Sequence, residues 1–219
     1  MGPKDFNPSY VGRRDDILNL VPKGASVVLD VGCSTGRLGW QVKRRERGKV
    51  FGIELDGEMA RIASQRLDRV IAGDVEAIAL EDHFAPGELD CIIFADVLEH
   101  LRDPWAVLHS MARLLKQDGV VVASIPNVRH YSTVVALVWG GFWPYRERGI
   151  HDRNHLRFFT LKDIKDMFQH AGLRITRVDR KYRIIERPHR WNSFSRYLAW
   201  PLLKDFLTFQ YLVSADKDV

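Results

Sequence analysis

Three short stretches carry residue types whose spacing could do chemistry. Residues 32–36 read Gly-Cys-Ser-Thr-Gly. They fit the G-x-S-x-G elbow that presents a serine nucleophile, and equally a small-residue loop that lets a ligand approach the backbone. Residues 96–100 read Asp-Val-Leu-Glu-His, and one helical turn would set Asp96, Glu99 and His100 near one face. Residues 151–160, HDRNHLRFFT, put His155 and Arg157 in a loop ahead of a helix. Thr160 with Asp163 makes a capping pair for that helix, and Gly172 would close it.

The elements that must position these residues are legible as period and punctuation. Five apolar runs, at residues 26–32, 49–55, 69–74, 89–96 and 119–126, are each apolar throughout, as strands covered on both faces are. Helical patterns lie between them. Asp103 and Pro104 open one whose stripe is Val107, Leu108, Met111, Leu114 and Leu115, and Asp56 caps another carrying Met59, Ile62 and Ala63. Alternation of this kind predicts an α/β fold with a doubly wound, mostly parallel sheet.

That order bears on Ser34. In a hydrolase the elbow follows a late strand, and an earlier strand carries the oxyanion loop. Here the loop follows the first strand of the series, so the order argues against a nucleophile. A cofactor cradle fits better, with Glu54 eighteen positions after Gly36 at the end of the next strand, where a carboxylate can accept hydrogen bonds from a ribose diol. The second glycine of the dinucleotide fingerprint is missing, which points to a nucleoside without a diphosphate.

The series Asp30, Gly32, Ser34, Gly36 resembles the first motif of the class I S-adenosylmethionine-dependent methyltransferases, with serine in place of the middle glycine. GIELDGEMARIA resembles their second motif, AGDVE their third and IIFADVLEHL their fourth. The resemblance implies a Rossmann-like seven-stranded sheet ending in an antiparallel hairpin. It also implies S-adenosylmethionine bound by Asp30, Gly32, Cys33, Ser34, Gly36, Glu54, Leu55, Asp74, Val75 and Ala95. Glu54 would hold the ribose, Asp74 the adenine amino group and Val75 the ring. Similarity to a subgroup with methionine-biosynthesis and ubiquinone-biosynthesis enzymes, found also with bacterial glycan assembly, suggests O-methylation of a sugar or another small hydroxylated acceptor. His155, Asp96 and His100 are the candidates for the catalytic work of removing the hydroxyl proton. In some related quinone and small-RNA enzymes an acidic-x-x-Glu-His run binds a divalent metal. Here Asp96 stands where glutamate is usual, and no metal ligands are assigned.

The remaining sequence suggests partners. One domain over residues 1–219 is expected, divided into a cofactor-binding core at 26–126, a lid or substrate insertion at 127–159, and a C-terminal helix, strands and aromatic arm at 160–219. The insertion is longer than an ordinary connection and holds Phe142, Trp143 and Tyr145. Of 219 residues, 46% are hydrophobic, enough for a sizeable core. Neither a signal peptide nor a spanning run is evident, so a cytoplasmic protein is expected. Cys33 and Cys91 sit in or beside apolar strands and suggest reduced, buried thiols. Residues 120–219 carry 17 Lys and Arg against 9 Asp and Glu, a balance of +8 within a net charge of +5. An anionic acceptor, small or lipid-linked, would meet this half. The arm at 190–207, rich in aromatics and Arg, suits either a membrane surface or burial against a second subunit in a homodimer. An RNA methyltransferase, a quinone-type phenol O-methyltransferase and a non-catalytic cofactor-binding partner stand as alternatives, although no recognisable RNA module is present.

Overall fold

Seven strands, six running one way and one against them, form one sheet in the computed structural model, which describes residues 13–184 and 203–218. The apolar runs become β1 (Val27–Val31), β2 (Lys49–Glu54), β3 (Arg69–Ala72), β4 (Leu89–Ala95) and β5 (Leu115–Pro126). With β6 (Leu173–Tyr182) and β7 (Thr208–Lys217) the order is β3-β2-β1-β4-β5-β7-β6, and β7 runs antiparallel to both its neighbours. The α/β architecture, mostly parallel with a C-terminal antiparallel pair, is as expected.

Side-chain alternation splits the core between the two faces of the sheet. Leu29, Val31, Ile92 and Phe94 join one apolar cluster, and Val28, Cys91 and Ile93 join the other. α4 (Pro104–Leu114) and α6 (Leu161–His170) cover the first face, through Leu108, Met111, Met167 and Phe168. α1 (Asp15–Leu18) and α2 (Arg37–Glu46) cover the second, through Ile17, Leu38 and Val42. β5 starts four residues before the expected Gly119. Leu115 pairs with Leu89 ahead of a register shift, and a side chain at Gly119 would lie 2.9 Å from the Leu89 carbonyl, so glycine marks the irregularity.

The expected helix ends form. Asp56 accepts from the backbone of Glu58 and Met59 and starts α3 (Gly57–Ala63), Asp103 accepts from Ala106 N–H, and Thr160 with Asp163 completes a capping box. Gly172 follows α6 with a left-handed φ of 74°. Among the described residues no helix is long and apolar enough to cross a membrane.

β1 and β4 are adjacent although α2, β2, α3 and β3 separate them in sequence, so connections leave their carboxyl ends in opposite directions and open a crevice there. The segment after β5 closes on itself beside this crevice. Val128 N–H donates to the Phe159 carbonyl at 3.0 Å, so the loop, which contains α5 (Tyr131–Val138), begins and ends at one place. Of the aromatic arm at 190–207, residues 190–202 lie outside the described residues, including Trp200 and Leu202.

Asn127, fully buried, anchors that base. Its Nδ2 donates to the carbonyls of Asp205 and Thr208, both at 2.7 Å, and its Oδ1 accepts from Arg129 N–H at 3.0 Å. Asn127→Ala strands these buried groups and should lower unfolding stability by about 1–3 kcal/mol. Urea titration checks this, and an unshifted midpoint would count against Asn127 as the anchor.

Candidate active site

The loop after β1 shows why the glycine pattern tolerates one serine. Gly32, Ser34 and Gly36 all adopt left-handed backbone, with φ of 66°, 51° and 74°. Close approach adds a second demand at Gly32, where a Cβ would meet Val97 Cγ2 at 2.6 Å. For Ser34 the conformation costs roughly 1–2 kcal/mol. Against that, its N–H donates to Glu54 Oε2 at 2.7 Å and its Oγ lies 3.4 Å from Met59 Sδ. Among the described residues the hydroxyl meets no imidazole or carboxylate that could activate it, so the geometry agrees with a cradle and not an elbow. α2 begins at Gly36 without a side-chain cap, and the Gly39 N–H of its first turn points down to Asp30.

Glu54 ties this loop to the next one. Its second oxygen accepts from Asp56 N–H at 2.9 Å, and its neighbour Leu55 is 72% exposed, an apolar face beside the carboxylate. Asp30 lies beneath, 2% exposed. Burial, with help from the charge of Glu54, pushes its carboxyl up to about 7 despite a hydrogen bond from Gly39 N–H. Its Oδ2 has no hydrogen-bond partner. Cys33 is buried against Gly52, where a Cβ would lie 2.6 Å from its sulfur, and burial pushes its thiol up, so it is an inert packing residue here. Asp74 Oδ1 accepts from Glu76 N–H and its Oδ2 from Arg102 Nη2, each at 2.9 Å, while Val75 is buried beside it.

The expected grouping of Asp96 with Glu99 and His100 does not form. Asp96 is left-handed, with φ of 60°, and the helical turn starts only at Leu98–His100, so the carboxylate points elsewhere. It accepts from Ser124 Oγ at 2.8 Å, from Arg14 Nη1 and from Gln210 Nε2. Burial works against the charge of Arg14, but Asp96 and Asp16 hold it protonated well above the ordinary range. Ala95, also expected near the cofactor, ends β4 just before this knot.

His155 takes the place that Asp96 was expected to fill. Glu99, His100 and His155 bring one ligand atom each within 4.8 Å of the others. Both imidazoles offer Nδ1 to a backbone carbonyl, His155 to Ile150 at 3.1 Å and His100 to Asn154 at 3.2 Å. That tautomer leaves each Nε2 with a lone pair. The rings pack edge to face at 4.7 Å, and His155 Nε2 lies 3.9 Å from Glu99 Oε1. Burial and the neighbouring His100 lower His155 to about 4, so it is neutral at physiological pH. Burial and the charge of Asp96 push Glu99 well up, and its Oε2 has no hydrogen-bond partner. The backbone holds this arrangement, because the Glu99 carbonyl accepts from both Leu156 and Arg157 N–H. Glu99 and His155 line a narrow cleft with Pro126, Val128, Ile150, Arg157, Phe158 and Phe159, and its walls stand too close together to admit even a water molecule.

Residues 12–178 match the family model described as a methyltransferase domain. The chain belongs to this family. S-adenosylmethionine is the cofactor that membership implies, and the cradle of Gly32, Ser34 and Gly36 with Glu54 suits it. This methyltransferase is 33% identical to the ubiquinone biosynthesis O-methyltransferase of Thiobacillus denitrificans, over 69% of the chain and 66% of that protein. It is 31% identical to the enzyme so named in Cupriavidus pinatubonensis, over 77% and 67%. It thus spans about two thirds of the length of these relatives. A SAM dependent methyltransferase from Archaeoglobus fulgidus shares the fold at a TM-score of 0.66 and 15% identity, covering 96% of this chain and 97% of that one. These relatives carry quinone names, so the glycan part of the expected resemblance gains no support from them.

Arg14, Ser124 and Gln210 escaped the sequence reading. Gln210 had a signal, a lone amide inside the apolar run of β7, whereas nothing in the spacing singles out Arg14. Of the other histidines, His130 and His151 are fully buried, the first capping α5 and the second 2.8 Å from Thr133 Oγ1, so neither faces a ligand. His109 is exposed.

Ser34→Gly keeps the N–H that reaches Glu54 and removes the left-handed strain. Calorimetric affinity for S-adenosylmethionine should be unchanged or tighter. A hydrolytic activity abolished by this substitution would restore the nucleophile reading.

Proposed function

We propose that the protein transfers a methyl group from S-adenosylmethionine to a hydroxyl of a small acceptor, with a phenolic ring favoured over a sugar. The observation that carries this reading is the convergence of two imidazoles and a buried carboxylate beside a narrow cleft, past the carboxyl end of β4. In this proposal a planar ring enters once Phe158 and Phe159 part to widen the cleft, and the quinone-named relatives support the same class. A sugar hydroxyl is the second reading, favoured by the exposed aromatics of the segment at 127–159, which in this proposal covers the acceptor side.

Glu54 accepts from the ribose hydroxyls with the lone pairs its two backbone bonds leave free. Leu55 and Val75 flank the adenine, and Asp74 reaches its amino group once Arg102 yields one oxygen. Asp30, Gly32, Cys33, Ser34, Gly36 and Ala95 line the path of the methionine end. The acceptor oxygen attacks the methyl carbon in line with the departing sulfur. The new O–C bond forms as the C–S bond breaks, and the hydroxyl proton passes to His155 Nε2. S-adenosylhomocysteine and the methyl ether are the products. Asp96 acts through position, since it aims the turn that carries Glu99 and His100.

Glu99, His100 and His155 also fit a divalent cation, as the unpartnered Glu99 Oε2 and the two exposed lone pairs are a suitable donor set. Such a cation would lower the pKa of an acceptor hydroxyl. The residues' own task is then to orient the acceptor and keep water out.

Catechol, a sugar and S-adenosylmethionine form the deciding assay, read as S-adenosylhomocysteine released. Turnover of catechol should exceed that of the sugar, His155→Ala should lower kcat about 10²-fold or more, and loss of activity on chelation restored by magnesium would assign His155 as ligand and not base. No release with either acceptor, despite tight cofactor binding, would sink the reading. Glu54→Ala should weaken cofactor binding by about 1–3 kcal/mol, and Asp74→Ala by less, because Arg102 already competes for it.

A further inference from the structure

α5 and the turn after it present an apolar face that none of the described residues covers. Residues 131–145 carry no charged side chain. Val135, Val138, Trp139 and Phe142 recur at i, i+3, i+4 and i+7, the spacing of one helical stripe, yet this stripe faces outward. Trp139 is 77% exposed, Val138 68%, Tyr145 66% and Phe142 57%. The opposite side of the helix is the buried one, through Thr133 and its bond to His151. With Val135 and Leu137 the exposed area is on the order of 600 Å², at the top of what ordinary monomers leave uncovered.

Charge and area indicate the occupant. Arg146, Arg148 and Arg153 follow the aromatics and are exposed, and of the two acids among them Asp152 is buried while the exposed Glu147 pairs with Arg153 at 2.8 Å. Residues 129–159 hold five Arg against one Glu and one Asp, a balance of +3. Trp and Tyr rings beside arginines are the composition of an element lying at a bilayer surface, apolar side down and cations at the phosphates. In a two-fold dimer this face would meet its own copy and bring its arginines against like charge, which an anionic surface does not. The face is also continuous with the cleft, since Trp143 packs on Phe158 at 4.7 Å and Phe158 lines it.

We infer that α5 and the turn through Arg148 form a docking surface for an anionic lipid bilayer. The inference goes beyond the methyl-transfer reading and does not depend on it. Docking would set the mouth of the cleft at the headgroup level, open to an acceptor carried in the lipid.

The test is sedimentation of the full chain with vesicles of phosphatidylcholine alone and of phosphatidylcholine mixed with phosphatidylglycerol. Binding should favour the anionic vesicles and weaken as salt rises. Trp139→Ser with Phe142→Ser should reduce it about tenfold or more, and Arg148→Gln with Arg153→Gln should weaken it and flatten its salt dependence. Both double variants should keep the thermal midpoint and cofactor affinity of the parent, which separates lost docking from lost folding. The inference is overturned if neither vesicle is bound or if binding survives both substitutions. It is also overturned if light scattering shows a dimer that Trp139→Ser with Phe142→Ser dissociates, since the face would then be a protein interface.

Discussion

Asp96 is one carboxylate that joins four distant pieces of chain. It ends β4 in a left-handed conformation and collects Arg14 from the N-terminal helix cap, Ser124 from β5 and Gln210 from β7. A strained backbone of this kind persists when its surroundings over-determine it, and three donors on one carboxylate do so. The turn that follows inherits its direction from this knot, and with it the positions of Glu99 and His100. Lys181, paired with Asp16 at 2.5 Å, extends the same network to β6.

Desolvation gives the site its chemistry. Glu99 and His155 lie in a place where charge is costly, so the carboxyl is pushed up and the imidazole down, and both tend toward neutrality. A neutral imidazole whose Nδ1 is committed to a carbonyl is a directed base or a directed ligand. His155 bonds its own loop through Nδ1 at Ile150, and that bond leaves Nε2 with its lone pair. The cofactor side follows another logic. Glu54 spends its charge on two backbone N–H groups and holds the loop open, whereas Asp74 is shared with an exposed arginine.

Much of this was legible because strand and helix signals are local. Apolar runs, the caps at Asp56, Asp103 and Thr160, and the left-handed glycines each depend on residues a few positions apart, and so does Glu54 at the end of the second strand. The serine at position 34 was legible as a departure but not as a solution, since the solution is a carboxylate twenty residues away. The start of β5 was misplaced because pairing across a bulge, and not propensity, sets it.

Asp96 marks the limit most clearly. A three- and four-residue spacing puts Asp96, Glu99 and His100 on one face only if the backbone stays helical, and the pull of Arg14, Ser124 and Gln210 turns it away. By itself the sequence determined the α/β class, the strand succession, the cradle and its acidic partner, because backbone geometry and periodicity encode them over short range. Only the tertiary structure decided that His155 meets Glu99 and His100, that Asp96 belongs to a structural knot, and that the stripe on α5 faces outward. Those depend on which distant groups share the same small, dry volume, and no local pattern carries that information.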